Sequence, residues 1–157
     1  MRDRGLAMSK QVGELGEKFI VENLPCPNCG NELMRLSPGF PLYDVQCTSC
    51  IFRAQVKSAR TKRCPNEVFG AGWRILNAAL KTGQLIPPLL LHLHSDEGKE
   101  KHDRVFFFPL LTTGQIKKYT ATVRGRKYEM FKYVGLFRDD VAHVELSCRP
   151  AGRAHRR

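Results

Sequence analysis

An apolar stripe at helical spacing runs along the first part of the chain. It predicts a helix with Ser9 as its N-cap and with its end near Asn23. Residues 1–8 precede this helix and are expected to form a flexible arm. The stripe that would be buried consists of Val12, Leu15, Phe19 and Ile20.

Two acidic residues on this helix differ in where they point. At 100° per residue, Glu17 lies along the margin of the stripe, whereas Glu14 points almost directly away from it. Glu17 is therefore the carboxylate that faces the interior edge. A glutamate at such a margin is usually only solvated, so the helical pattern alone leaves its role open.

Alternation of apolar and polar residues replaces the helical pattern after position 41. Residues 42–46 and 51–57 each alternate as strands do, and residues 47–50 between them predict the tight turn of a hairpin. Residues 32–36 predict a short third strand beside this hairpin.

Three polar side chains are brought together by the predicted hairpin. Gln55 and Lys57 are two positions apart and therefore share one face of their strand. Asp44, on the partner strand, is expected to lie beside them. One carboxylate, one amide oxygen and one ammonium would then occupy a small space.

Farther along the chain, helical spacing returns once. A second helix is predicted to open at Pro65 or Asn66 and to end with Gly83 as its C-cap. Its apolar residues recur at i, i+4, i+7 and i+11, and they are Phe69, Trp73, Leu76 and Leu80. Trp73 could stack on a nucleic-acid base, but its place in this stripe favours the core.

The remaining segments predict mostly strands. A leucine-dense strand at 89–94 is expected at the centre of the sheet. A short helix is expected at 112–118, and further strand segments are expected at 104–108, 119–127, 128–137 and 141–147. His92 and His94 share a strand face, but no third metal ligand is evident near them in the sequence.

Four of the six cysteines form a metal-binding pattern. Cys26, Cys29, Cys47 and Cys50 are spaced C-x2-C-x17-C-x2-C, which is typical of a structural zinc site. Four thiolates close the coordination shell, so the ion would hold the backbone together and perform no chemistry. Two disulfides, or thiols unrelated to one another, are the alternative. Cys64 has no such partner and is expected to be a free thiol.

These elements predict a mixed α/β fold. A central mixed sheet would be flanked by the helices that start at Ser9 and Asn66, with a four-cysteine zinc knuckle inserted at 26–50. We expect one domain over residues 9–147, followed by a basic, disordered tail at 148–157.

The charge balance narrows the class of partner. The 157 residues carry 26 Lys and Arg against 15 Asp and Glu, a net charge of +11, which favours a polyanion such as nucleic acid. The chain has no apolar run of membrane-spanning length and no signal-peptide core. A cytoplasmic protein with no membrane partner is therefore expected, in a reducing compartment that keeps thiols available for zinc.

The predicted polar cluster suits metal-assisted hydrolysis of a phosphodiester bond. A hard cation such as magnesium prefers oxygen ligands, which Asp44, the Gln55 side chain and the backbone carbonyl of Val56 offer. Lys57 would then serve the attacking water and offset the developing charge. Taken alone, this spacing also fits an ordinary hairpin with a solvated Gln and Lys face.

The whole stretch resembles the zinc-containing DpnI-like restriction endonucleases of the PD-(D/E)xK nuclease superfamily. The resemblance rests on CPNCGN, Pro41-Leu42-Tyr43-Asp44, CTSC and Gln55-Val56-Lys57-Ser58. Glutamine replaces the usual acid of (D/E)xK, as in the Mrr-like QxK nucleases. The resemblance implies a restriction-endonuclease-like fold.

The same resemblance implies functions for individual residues. Asp44 would bind the catalytic metal, Gln55 would be the second ligand, and Lys57 would be the catalytic lysine. Glu17 would be an extra metal ligand from the first helix, in the context Gly16-Glu17. The implied activity is that of a magnesium- or manganese-dependent endodeoxyribonuclease of restriction or repair type, acting on double-stranded DNA. Association of two chains to cut both strands is left open.

Two basic groups are candidate DNA contacts. The first group follows Lys57 closely and consists of Arg60, Lys62 and Arg63, for which a solvated charge run is the alternative. The second group lies in a glycine-containing turn and consists of Arg124, Arg126 and Lys127. A zinc-ribbon protein that binds nucleic acid without cutting it would show the same charge and cysteines, and this is the alternative function.

Overall fold

The computed structural model describes residues 3–97 and 100–149 of the chain. The elements in this part of the chain are two α-helices, nine strands and one 3₁₀ turn. In chain order they are α1 Asp3–Asn23, β1 Leu33–Arg35, β2 Val45–Cys47, β3 Arg53–Arg60, β4 Glu67–Gly72, α2 Trp73–Lys81, β5 Leu89–Glu97, β6 Glu100–Phe108, the 3₁₀ turn Thr113–Gln115, β7 Ile116–Val123, β8 Arg126–Val134 and β9 Val144–Leu146.

Six of the described strands form a mixed sheet in the order β1-β2-β3-β5-β6-β9. Within it, β3 and β5 run parallel, with Gln55 opposite Leu89 and Lys57 opposite Leu91, and the other neighbours are antiparallel. The leucine-dense strand β5 is central, as predicted, and Leu89 to Leu91 are fully buried. Leucines on both faces of β5 are buried because other parts of the protein pack on both sides of the sheet.

Each face of this large sheet has its own core. On one face, Ile20 and Leu24 of α1 pack with Val56 and Leu90. On the other face, Leu89 and Leu91 pack with residues of a separate antiparallel sheet, ordered β4-β8-β7, and with α2. The mixed α/β class with two helices and a clustered set of cysteines is thus confirmed, whereas the restriction-endonuclease-like arrangement stays a prediction.

The start of α1 differs from the prediction. The helix begins at Asp3, so Ser9 lies inside it and does not cap it, and residues 3–8 of the predicted arm are helical. Met1 and Arg2 lie outside the described residues. Leu15 was placed in the buried stripe but is 64% exposed, because the side of α1 that faces the sheet is the one that carries Gly16 and Ile20.

The second predicted helix is half wrong. Residues Glu67–Gly72 form strand β4, and only Trp73–Lys81 is helical. Pairing of β4 with β8 across the chain overrides the local helical spacing, so that Phe69 is 70% exposed on a strand. Gly83 follows the end of the helix with φ of +79°, the left-handed conformation that a glycine accepts without strain.

The C-terminal third contains less helix than predicted. The short helix expected at 112–118 is the three-residue 3₁₀ turn, after which β7 begins. The strand expected at 141–147 shortens to Val144–Leu146. The predicted basic tail at 148–157 lies outside the described residues from position 150 onward.

A close approach between α1 and β3 depends on Gly16. An added Cβ there would lie 1.7 Å from Ser58 Oγ and 2.9 Å from Ser58 Cβ. At Gly13, one turn earlier in the helix, an added Cβ would meet nothing within 4 Å. The absent side chain at Gly16 therefore allows α1 to lie directly on the strand that carries Lys57, and it brings the adjacent Glu17 close to the sheet.

Replacement of these two glycines by alanine should have opposite effects on stability. We expect Gly13→Ala to raise the free energy of unfolding by about 1 kcal/mol, because alanine favours a helix interior over glycine. Gly16→Ala should lower it by about 1–3 kcal/mol through overpacking against Ser58. Thermal unfolding of both variants measures this, and equal shifts of the two would contradict the close approach.

Candidate active site

The four cysteines of the predicted zinc knuckle converge in space. Their Sγ atoms lie within 4.8 Å of one another, with 3.7 Å between Cys26 and Cys50 and 3.5 Å between Cys29 and Cys47. Four sulfurs bound to one tetrahedral zinc ion lie about 3.8 Å apart. The observed spacing fits that ion, and none of the six cysteines, all of which the structure describes, is in a disulfide.

Hydrogen-bond donors surround these sulfurs. The side-chain amide of Asn28 and the backbone N–H of Phe52 donate to Cys50 Sγ over 3.4 Å and 3.5 Å. These two bonds lower the pKa of Cys50 to about 6. Burial raises the pKa of Cys26 to about 12, so a cation is needed to keep that thiol ionised. The cluster therefore has the chemistry of a structural metal centre.

The knuckle closes the hairpin that carries the predicted catalytic residues. The backbone N–H of Cys47 donates to the carbonyl of Phe52 over 2.9 Å. Beyond this contact, β2 and β3 are in register at just two described pairs, Val45 with Ala54 and Gln46 with Arg53.

Asp44 lies where the two hairpin strands part. Its backbone N–H donates to the carbonyl of Ala54 over 3.0 Å, and its Oδ2 accepts from the backbone N–H of Val56 over 2.7 Å. The N–H and the carbonyl of one strand residue point to the same side, so the Val56 carbonyl is directed toward Asp44 as well. The Asp44 carboxylate and the Val56 carbonyl thus lie on the same side of β3.

Gln55 is held by a residue from the other sheet. Its side chain is buried, and Oε1 accepts a hydrogen bond from the hydroxyl of Tyr133 on β8. Burial, and next the charge of Asp44, raise the pKa of Tyr133, which therefore remains a donor across the physiological range. This bond fixes the orientation of the Gln55 amide.

Lys57 shares the face of Gln55 and lies close to two carboxylates. Burial lowers the pKa of Lys57, while the charges of Asp44 and Glu17 oppose that shift. Glu17 Oε2 also accepts from Arg35 of β1, over 2.8 Å to Nη2 and 3.1 Å to Nε. Glu17 therefore lies at the edge of the cluster, where α1, β1 and β3 meet.

Sequence reasoning missed Tyr133 and Arg35. Tyr133 is 78 positions from Gln55, and Arg35 is 18 positions from Glu17, so no local pattern connects either pair. The structure brings Asp44, Val56, Gln55, Lys57 and Glu17 into one neighbourhood, while their catalytic functions stay predictions.

The predicted DNA-contact residues lie on two separate elements. Arg60 ends β3 and pairs with Asp96 over 2.7 Å, and Lys62 and Arg63 follow it in a loop that lines a surface cavity. The second group lies at the turn from β7 to β8, where Arg124 and Gly125 both have positive φ, 50° and 76°. That combination is typical of the type I′ turn of a two-residue hairpin.

The His92 and His94 pair does have a third neighbour. Asp103 of β6 lies opposite His94 in the β5–β6 hairpin, and its Oδ1 is 2.6 Å from His92 Nε2 and 2.8 Å from His94 Nδ1. The expectation that no third ligand is near was wrong, because hairpin pairing brings in a residue nine positions later.

A family model agrees with the region that carries this site. The model of the DpnI family, described as the Dam-replacing family, matches residues 4–103. No curated protein matches the chain. Across the described residues, the structure contains no helix that is both long and apolar enough to cross a membrane.

The cysteine cluster allows a test of metal content. Cys47→Ser should lower the zinc content by one ion per chain and should lower the unfolding temperature, because metal binding supplies folding free energy. Cys64→Ser, at an exposed cysteine outside the cluster, is the matched control and should change neither quantity. Metal analysis and thermal unfolding measure both, and equal zinc content in the two variants would contradict the site.

Proposed function

Because the chain belongs to the DpnI family, the Dam-replacing family, we propose that it is a divalent-metal-dependent endodeoxyribonuclease of restriction or repair type. Family membership implies a nuclease. The finer proposal rests on one observation: Asp44, Val56 and Lys57 meet at the open end of a hairpin that a cysteine cluster holds in register.

Oxygen donors of the kind that magnesium or manganese prefers are present. The Asp44 carboxylate and the Val56 carbonyl lie on the same side of β3, and Gln55 Oε1 has a second lone pair beyond the one that Tyr133 uses. Glu17 adds a carboxylate at the edge of this group. When bound there, the ion would polarise the scissile phosphate and offset its charge.

Lys57 is suited to handle the proton of the attacking water. Burial lowers its pKa, so a larger fraction of the amine is neutral near neutral pH than in an exposed lysine. A neutral Nζ accepts a proton from water as the water oxygen attacks phosphorus and the bond to the leaving oxygen breaks. The resulting ammonium then stabilises the added negative charge.

Glutamine at position 55 changes the charge of the site. Asp44 and Glu17 supply two negative charges, Lys57 and the Arg35 that pairs with Glu17 supply positive ones, and Gln55 adds none. The affinity for the metal ion then depends more on how the Gln55 amide oxygen is oriented than on ligand charge. The hydrogen bond from the Tyr133 hydroxyl fixes the orientation of this buried amide.

The charge distribution supports duplex DNA as the substrate. The chain has a net charge of +11, and Lys62 and Arg63 follow β3 a few residues after Lys57. Within this group, Arg60 pairs with Asp96, which neutralises part of its charge. Residues Arg124, Arg126 and Lys127 form a second basic group, at the β7–β8 turn, and would contact phosphates farther along.

Loss of Asp44 or Lys57 should abolish cleavage. Lys57→Ala should lower the cutting rate by at least about 100-fold, the contribution of a general acid–base group, and Asp44→Ala should abolish cutting through loss of a metal ligand, while salt-sensitive DNA binding remains in both. Lys18→Ala, an exposed lysine of α1, is the matched control and should cut as the wild type does.

The assay uses methylated and unmethylated duplexes with magnesium or manganese. A wild-type protein that cuts no duplex, branched or single-stranded DNA would refute the proposal, as would a Lys57→Ala variant with full activity. The chain would then act as a zinc-containing nucleic-acid-binding protein without catalysis.

The lowered pKa of Lys57 predicts the pH dependence. Cleavage should rise with pH as Lys57 loses its proton, with a midpoint below the ordinary value of 10.5. Stability should rise over the same range, between the folded pKa and 10.5, because the unfolded chain there binds more protons than the folded one. Lys57→Arg stays protonated and should lose the rising limb. The same limb in that variant would assign the titration to another group.

A further inference from the structure

A second cluster of metal-binding side chains lies on the opposite face of the large sheet from Lys57. Ser58 and His92 are register partners on β3 and β5, and His94 and Asp103 are partners on β5 and β6. Alternation along β3 places Ser58 and Lys57 on opposite faces. The cluster therefore lies across the sheet from Lys57, and its ligands form a different group from the four cysteines.

The three potential ligand atoms of this cluster meet closely. His92 Nε2 and His94 Nδ1 lie 2.6 Å and 2.8 Å from the same atom, Asp103 Oδ1. All three ligand atoms lie within 4.8 Å of one another. Ligands of a tetrahedral ion at 2.0–2.1 Å lie about 3.3 Å apart, so an outward shift of about half an ångström admits the ion.

The other nitrogen of each imidazole has its own partner. His92 Nδ1 lies 3.3 Å from Ser58 Oγ, and His94 Nε2 lies 3.0 Å from Asp96 Oδ1. Asp96 is held in turn by Arg60 over 2.7 Å. Metal-binding histidines in proteins characteristically have such an outer partner, which fixes the ring and selects the nitrogen that faces the ion.

Packing further fixes the more buried ring. The His92 ring stacks on Phe19 of α1 with 4.3 Å between the ring centroids and an interplanar angle of 7°. The other two ligands are reachable, since the side chains of His94 and Asp103 are 31% and 23% exposed. His94 also borders the surface cavity next to the loop of Lys62 and Arg63. An ion can therefore enter from that side.

We propose that His92, His94 and Asp103 bind a transition-metal ion of the zinc type, with one coordination position left for water. Two imidazoles and one carboxylate favour zinc, cobalt or nickel over magnesium. The ion would cross-link the neighbouring strands β5 and β6. It would also hold α1 against this face of the sheet through the stacked His92 and Phe19 rings.

Metal stoichiometry tests this proposal directly. After equilibrium dialysis against zinc with excess magnesium, the wild type should hold two zinc ions per chain, one at the cysteines and one at this cluster. His94→Gln and Asp103→Asn should each hold one. The introduced amide keeps an oxygen that accepts an imidazole N–H, so the Asp103→Asn variant should remain folded while it loses the carboxylate ligand.

His102→Gln is the matched control. His102 is next to Asp103 on β6 but points to the other face, where its Nε2 lies 3.5 Å from Glu100, and this variant should keep two zinc ions. Cobalt adds a second measurement, because thiolate charge-transfer bands report the cysteine site separately from the histidine site.

Two results would overturn the proposal. The first is a wild type that holds a single zinc ion, which would make the cluster a hydrogen-bond network only. The second is an unchanged count in both His94→Gln and Asp103→Asn. Neither result depends on nuclease activity, so this proposal can fail while the proposed function stands.

Discussion

The register of the β2–β3 hairpin is the constraint on which the site depends. Just two described residue pairs join these strands, and a shift by one residue would turn Gln55 and Lys57 to the opposite face. The cysteine cluster closes the hairpin at one end, and the Asp44 carboxylate bonded to the Val56 N–H holds it at the other. Between these anchors, β3 presents Lys57 on one face and Ser58 on the other.

Burial on both sides gives these polar groups their properties. The pKa of Lys57 is lowered because β3 lies inside the protein, with α1 on one face and the small sheet on the other. A lysine in that position weakens the fold while it is charged, and it is a better proton acceptor for the same reason. The nearby carboxylates of Asp44 and Glu17 limit this cost.

The sequence predicted those features of the site that depend on residues close together in the chain. Cysteine spacing and strand alternation placed the knuckle and the Gln55 and Lys57 face, because both depend on neighbours in sequence. Residues 67–72 were predicted as helix because Phe69 and Trp73 fit the helical period. Residues 67–72 form a strand instead, because they pair with β8. The partners Tyr133 and Asp103 come from tertiary pairing, which a single sequence does not display.

The hydrogen bond from Tyr133 to Gln55 also has a mechanical consequence. Tyr133 lies near one end of β8, and the basic β7–β8 turn lies at the other end, roughly 23 Å away at about 3.3 Å per residue. Along this length β8 is hydrogen-bonded to β7, and between Met130 and Val134 it is also paired with β4, so it resists bending. On the proposed function, a force from DNA bound at the turn would be carried along β8 toward the Gln55 amide, so contact with DNA there would bear on the alignment of that amide.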